Sequence, residues 1–166
     1  MIIRRADKTD FEAMAQIWLD ASRVGHPFLG EAVLQEQLAT VRIVYFPQAE
    51  NWVAEEGRVI GFIGLLGNHI GGLFVSPSAH RCGAGRRLIE HAVDRLGSVG
   101  VEVYEQNKAA VAFYLRCGFV AVGRKNRDNE GRPFPLLRLA MSGHGEQICS
   151  ARQGEPIDQI PPGGTE

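Results

Sequence analysis

Apolar residues recur along this chain with two periods, and the switches between them divide it into short segments. Residues 2–6 read as a short first strand. Phe11, Met14, Ile17, Trp18 and Ala21 then fall on one face of a helix. Asp7 or Thr9 can cap that helix, and Glu12 stands three residues after Thr9, the spacing of a capping box. Residues 24–30 hold two glycines and a proline and mark a loop. Residues 31–40 read as a second helix, with Val33, Leu34, Gln37 and Leu38 at helical spacing. Residues 41–46 are β-branched and aromatic, and fit either a strand or a helical continuation ended by Pro47.

From residue 51 onward the strand period dominates. Strands are expected at 51–55, 59–66 and 69–75, joined by turns at 56–58 and 67–68. Gly71-Gly72 inside the third of these suggests a bulge or a close backbone approach. Leu88, Ile89, Ala92, Val93 and Leu96 restore the helical period. The next strand, 99–104, is therefore reached through a helix and should lie parallel to the one before it. A short helix over 107–116 is closed by Gly118, and strands at 119–124 and 136–141 flank a polar turn at 126–131. The turn residues Arg127, Asp128, Glu130 and Arg132 read as solvated. Periodicity stops there. Residues 142–166 are rich in Gly, Pro and polar residues, so the chain divides into a domain of residues 1–141 and a C-terminal tail.

Composition narrows the function classes. Eighteen basic and 19 acidic side chains give no bulk attraction to nucleic acid or anionic lipid. No apolar run is long enough to span a bilayer, and the first residues enter a strand directly rather than a signal peptide. Cys82, Cys117 and Cys149 are odd in number and far apart, which suggests neither a disulfide framework nor a metal site. These features fit a cytoplasmic protein.

The candidate chemistry begins at residues 75–88, V-S-P-S-A-H-R-C-G-A-G-R-R-L, where a strand passes through a glycine-bearing loop into a helix. Gly83 and Gly85 allow a tight turn and close approach of a ligand. The first N–H groups of a helix have no internal partner and, with the helix dipole, favour an anion. Arg81, Arg86 and Arg87 add positive charge nearby. Cys82 reads as a spacer in the loop, since no base is indicated beside it. A dinucleotide-binding reading is a competitor, because Glu105 ends the next strand about 20 residues on. Leu88 in place of a third glycine, and Pro77 in the approach, count against it. A P-loop is excluded, since no Gly-Lys-Ser/Thr follows.

Two stretches resemble the GNAT N-acetyltransferases. Val75-x-Pro77 followed by His80-x-x-Gly83-x-Gly85 resembles the family's pyrophosphate loop, and Asn107-x-x-Ala110-x-x-Phe113-Tyr114-x-x-x-Gly118-Phe119 resembles its second cofactor segment. The Trp18 helix followed by His26-Pro27-Phe28-Leu29 is similar to a branch of small bacterial members. The resemblance implies an α/β fold of the GNAT type: a mostly antiparallel sheet with one splayed parallel strand pair, flanked by helices. It implies acetyl-CoA as acetyl donor, held by Leu73, Phe74, Val75, His80, Arg81, Cys82, Gly83, Ala84, Gly85, Arg86, Asn107 and Tyr114. It also implies an amine acceptor, small molecule or peptide, and is compatible with a homodimer. Tyr114 stands at the family's general acid, and a phenol of pKa about 10 suits a thiolate leaving group. A backbone N–H near Leu73 or Phe74 would stabilise the developing oxyanion. His26, His69, Glu102 and Glu105 are the candidates for the base that deprotonates the amine. The sequence departs from the family at His80, where Gln or Arg is usual, and at Arg81, where glycine is common. A non-catalytic acyl-CoA-binding module stays open as the alternative.

Overall fold

The period-two segments pair into one mixed sheet. In the computed structural model, which describes residues 1–143 and 163–165, β1 (Ile2–Arg5), β2 (Glu50–Glu55), β3 (Val59–Leu66) and β4 (His69–Val75) run antiparallel in sequence. β5 (Ser98–Tyr104), β6 (Val120–Lys125) and β7 (Leu136–Ser142) complete the order β1-β2-β3-β4-β5-β7-β6. A last short strand, β8 (Gly163–Thr165), pairs with β4 from within the segment read as tail. The rest of that segment, 144–162 and 166, lies outside the described residues. β4 and β5 are parallel, as the intervening helix requires, but they pair only at His69 with Gly100 and Ile70 with Val101. A fold with a single parallel pair among the strands of its body is not a dinucleotide-binding sheet, which is mostly parallel.

Helices α1 (Phe11–Gly25), α2 (Glu31–Thr40), α3 (Phe46–Gln48), α4 (Ala84–Leu96) and α5 (Lys108–Cys117) connect the strands. The ambiguous stretch between α2 and α3 is helical, a π turn over Val41–Tyr45 that buries Val41 and Tyr45. Pro47 is the second residue of α3, directly after the π turn. Capping at the start of α1 differs from the Thr9–Glu12 spacing. Asp7 accepts from the Thr9 N–H and Asp10 accepts from the Asp7 N–H, closing a short 3-10 turn. Glu12 is drawn instead to Arg42, 2.6 Å away.

Strand alternation sends neighbours to opposite faces. Leu73 and Val75 join Ile63, Val101 and Val103 beneath α4 and α5, where Leu88, Ile89, Phe113 and Tyr114 pack. Phe74 and Tyr104 join Phe62 and Val53 beneath α1 and α2, with Met14, Trp18, Leu34 and Leu38. The sheet thus separates two apolar layers, and β4 contributes to both.

Candidate active site

The centre of the molecule is a break in the β3–β4 ladder. Leu65 pairs with Ile70 but Gly64 pairs with Gly72, so Gly71 is the extra residue of a bulge. The bulge falls where β4 and β5 stop pairing. Beyond it the two strands no longer pair, which leaves a slot between them at Gly72 to Phe74, where β8 lies along β4.

At the end of β4 the chain enters the glycine-bearing loop. Pro77–Ala79 make a 3-10 turn, and a ring nitrogen of His80 lies 3.3 Å from the Val75 carbonyl. Arg81 adopts φ 65°, the left-handed region, which explains why glycine suits this position. Gly83, at φ 85°, opens α4 without any side-chain cap. The first turn closes by the Arg87 N–H donating to the Gly83 carbonyl at 3.1 Å, so the N–H groups of Ala84, Gly85 and Arg86 have no acceptor within the helix. A Cβ built at Gly83 would meet nothing within 4 Å, so the space before the helix is open. Cys82 is exposed beside it. The arginines differ from their sequence reading. Arg86 pairs with Glu90 at 3.0 Å and Arg87 donates to the Met1 carbonyl at 2.9 Å. The loop therefore presents main-chain donors more than guanidinium charge.

The second motif forms α5. Asn107 caps it, its side chain accepting from the Ala110 N–H at 3.1 Å. Tyr114 is fully buried between Phe113 and Phe119, and among the described residues its hydroxyl has no hydrogen-bond partner. Burial raises its pKa well above the ordinary phenol value, so the hydroxyl stays protonated at neutral pH.

The four base candidates are not alike. Glu105 accepts from Arg124 at 2.6 Å, and Glu102 is held by Lys125 at 2.6 Å and Asn129 at 3.0 Å. His69 lies where β4 and β5 still pair, and desolvation lowers its pKa against the opposing charge of Glu102. His26 is buried at the C-terminus of α1, edge-on to Tyr104, and desolvation lowers its pKa to about 4. Among the described residues its Nε2 has no hydrogen-bond partner, nor has Ser22 Oγ or Trp18 Nε1. Trp18 and Ser22 stand at i and i+4 of α1, and His26 is the residue that caps its C-terminus; all three are buried. Sequence reasoning missed Ser22, which carries no signal beyond its spacing from Trp18 and His26.

It also misread the turn after β6. Asp128 is buried, not solvated. It accepts from the Tyr104 hydroxyl at 3.0 Å and from the N–H groups of Glu130 and Arg132 at 3.0 and 2.8 Å. The turn is thereby tied to the end of β5, beside His26.

Sequence comparison decides the family. Residues 11–119 match the Acetyltransferase (GNAT) family. The chain belongs to the GNAT acetyltransferases. Peptidyl-lysine N-acetyltransferase YjaB of Escherichia coli K12 is 38% identical over 143 residues, covering 85% of this chain and 97% of YjaB. Peptidyl-lysine N-acetyltransferase YiaC of the same organism is 34% identical over 138 residues, covering 82% of this chain and 94% of YiaC. The solution structure of apo YjaB superposes with a TM-score of 0.76 over 84% of this chain and 97% of that one. YncA of Salmonella typhimurium, solved with its cofactor acetyl-CoA, shares the fold at 20% identity, with a TM-score of 0.60 over 92% of this chain and 99% of that one. Among the described residues of this GNAT protein, no helix is long and apolar enough to cross a membrane.

Proposed function

We propose that this GNAT acetyltransferase moves the acetyl group of acetyl-CoA to the side-chain amine of a lysine in a protein or peptide. Acetyl-CoA-dependent N-acetyl transfer is the activity of the family. The lysine acceptor rests on YjaB and YiaC, both named peptidyl-lysine N-acetyltransferases. The observation that carries the catalytic reading is Tyr114: a buried, protonated hydroxyl with no partner, on the helix that follows the splayed strand.

The residues divide the work. N–H groups at the start of α4 hold the donor's pyrophosphate. The β4 main chain at Gly72–Phe74 aligns the pantetheine arm, and an N–H beside the bulge donates to the thioester oxygen as charge develops there. The lysine nitrogen forms the new N–C bond, the C–S bond breaks, and Tyr114 gives its proton to the departing sulfur. His26 takes a proton from the nitrogen through water. A histidine of pKa about 4 is a weak base toward free ammonium. The lysine therefore attacks as the neutral amine, its ammonium proton already lost to solvent, and His26 takes the second proton, whose acidity rises as the N–C bond forms. The reaction belongs in the cytoplasm, where acetyl-CoA is available.

The test is acetyl transfer to a panel of lysine peptides, N-terminal amines and small polyamines, read by thiol release and mass spectrometry. Lysine peptides are expected to show the highest kcat/KM. A preference for small amines would overturn the acceptor assignment while leaving the donor intact.

A further inference from the structure

Ile70 and Val101 are the last residues through which β4 and β5 pair. From Gly72 on, β4 keeps β3 on one side, and on the other it takes β8 instead of β5. Gly163, Gly164 and Thr165 lie parallel beside Gly72, Leu73 and Phe74. β8 also lies against β5, α1 and α5.

We propose that β8 is an internal competitor of acetyl-CoA, seated in the pantetheine slot of the resting protein and displaced when the donor enters. The inference rests on the GNAT donor assignment. The pantetheine arm is a linear chain with two amides, so to a strand edge it resembles a short peptide. Strand and arm would use the same N–H and C=O groups of Gly72–Phe74, and one edge accepts one strand at the usual spacing of about 4.8 Å. Gly163 and Gly164 bring no side chains into the gap between two strands. A GNAT body does not require this strand. The family match ends at residue 119, and 97% of YjaB is matched by only 85% of this chain.

Three residues make a weak strand, so displacement is easy and the effect is graded rather than absolute. Tethering gives β8 a high effective concentration at the slot. A slot closed most of the time reduces the apparent donor affinity by the fraction open, here about 3- to 10-fold.

The test compares the full chain, a chain lacking residues 163–166, and full-length Gly164→Pro, whose ring fixes φ and carries no N–H. Acetyl-CoA affinity is measured by calorimetry, and amide exchange at 163–165 is followed with and without saturating donor. Both variants are expected to bind acetyl-CoA about 3- to 10-fold more tightly, with kcat at saturating donor unchanged. In the full chain, protection at 163–165 should be lost when the donor binds. Equal or weaker binding in both variants, with protection retained at saturation, would overturn the proposal alone. No acetyl-CoA binding by any of the three chains would overturn the donor assignment and this proposal with it.

Discussion

Gly64 and Gly72 face each other across β3 and β4, and the ladder slips by one residue directly beside them. Neither position has room to spare. A Cβ on Gly64 would lie 3.1 Å from Asn51 Oδ1, and one on Gly72 would lie 2.7 Å from Cε2 of Phe74. The Phe74 ring is wedged between Phe62 and Trp18 and cannot simply swing away. Gly72→Ala is therefore expected to cost about 1–3 kcal/mol in urea unfolding. It should also lower acetyl-transfer turnover, because the shift falls on the main chain beside the slot. Gly64→Ala presses only on an amide side chain and should be the milder of the two.

Tyr114→Phe separates catalysis from stability. The hydroxyl it removes is buried and unpartnered, so the variant should be at least as stable as the parent in thermal unfolding. Turnover should fall about 100-fold, with donor affinity little changed. A variant of full activity would remove the tyrosine from the reaction.

Acid should weaken the fold through its histidines. Burial holds His26 at about 4 against an ordinary value of 6.5, and His69 and His91 are lowered in the same direction. Between pH 6.5 and 4 the unfolded chain binds protons that the folded chain excludes, so stability is complete above that window and declines as pH falls through it. His26 alone accounts for a loss of about 3 kcal/mol by the lower end. His26→Gln should flatten the decline by that amount in unfolding curves collected across the window. An unchanged slope would place the proton uptake elsewhere.

Arg81 holds a left-handed conformation that costs a non-glycine residue about 1–2 kcal/mol. Arg81→Gly relieves it, less the extra entropy of a glycine in the unfolded chain, for a net gain of about 0.5–1 kcal/mol. The melting temperature should rise by about 1–3 °C. Arg81→Ala removes the same guanidinium but keeps the conformation, and should show no such rise. The pair of variants thus isolates the backbone contribution from that of the charge.

What was legible in the sequence was what short-range pattern encodes. Apolar runs bounded by turn residues placed the strands, the helix between β4 and β5 made them parallel, and Gly71-Gly72 announced the bulge. Asp128 was not legible. Its neighbours are polar, and its burial is imposed by Tyr104, which lies 24 residues away in sequence. The cap of α1 was ambiguous for a different reason: Asp7 with Asp10 and Thr9 with Glu12 share one spacing, and only Arg42, from a distant turn, draws Glu12 away. Arg81 stood out as a departure from the family, yet its cause is a backbone angle, which letters do not record. β8 left no trace in periodicity, since two glycines and a threonine have no pattern, and its place is set by an edge that β5 leaves open.

The sheet with its two apolar layers is, in effect, a wall with one window. In the proposed reaction the donor reaches the window along the side of α4 and α5, and the acceptor from the side of α1 and α2. The frame is main chain, Gly72 to Phe74 along β4 with β5 opposite. Away from the glycines of the bulge, side-chain substitutions can redecorate either side of the wall without reshaping that frame. An inhibitor that spans the window with a thin, amide-bearing linker would be hard to escape by mutation, and its selectivity would have to come from the groups it places on the acceptor side.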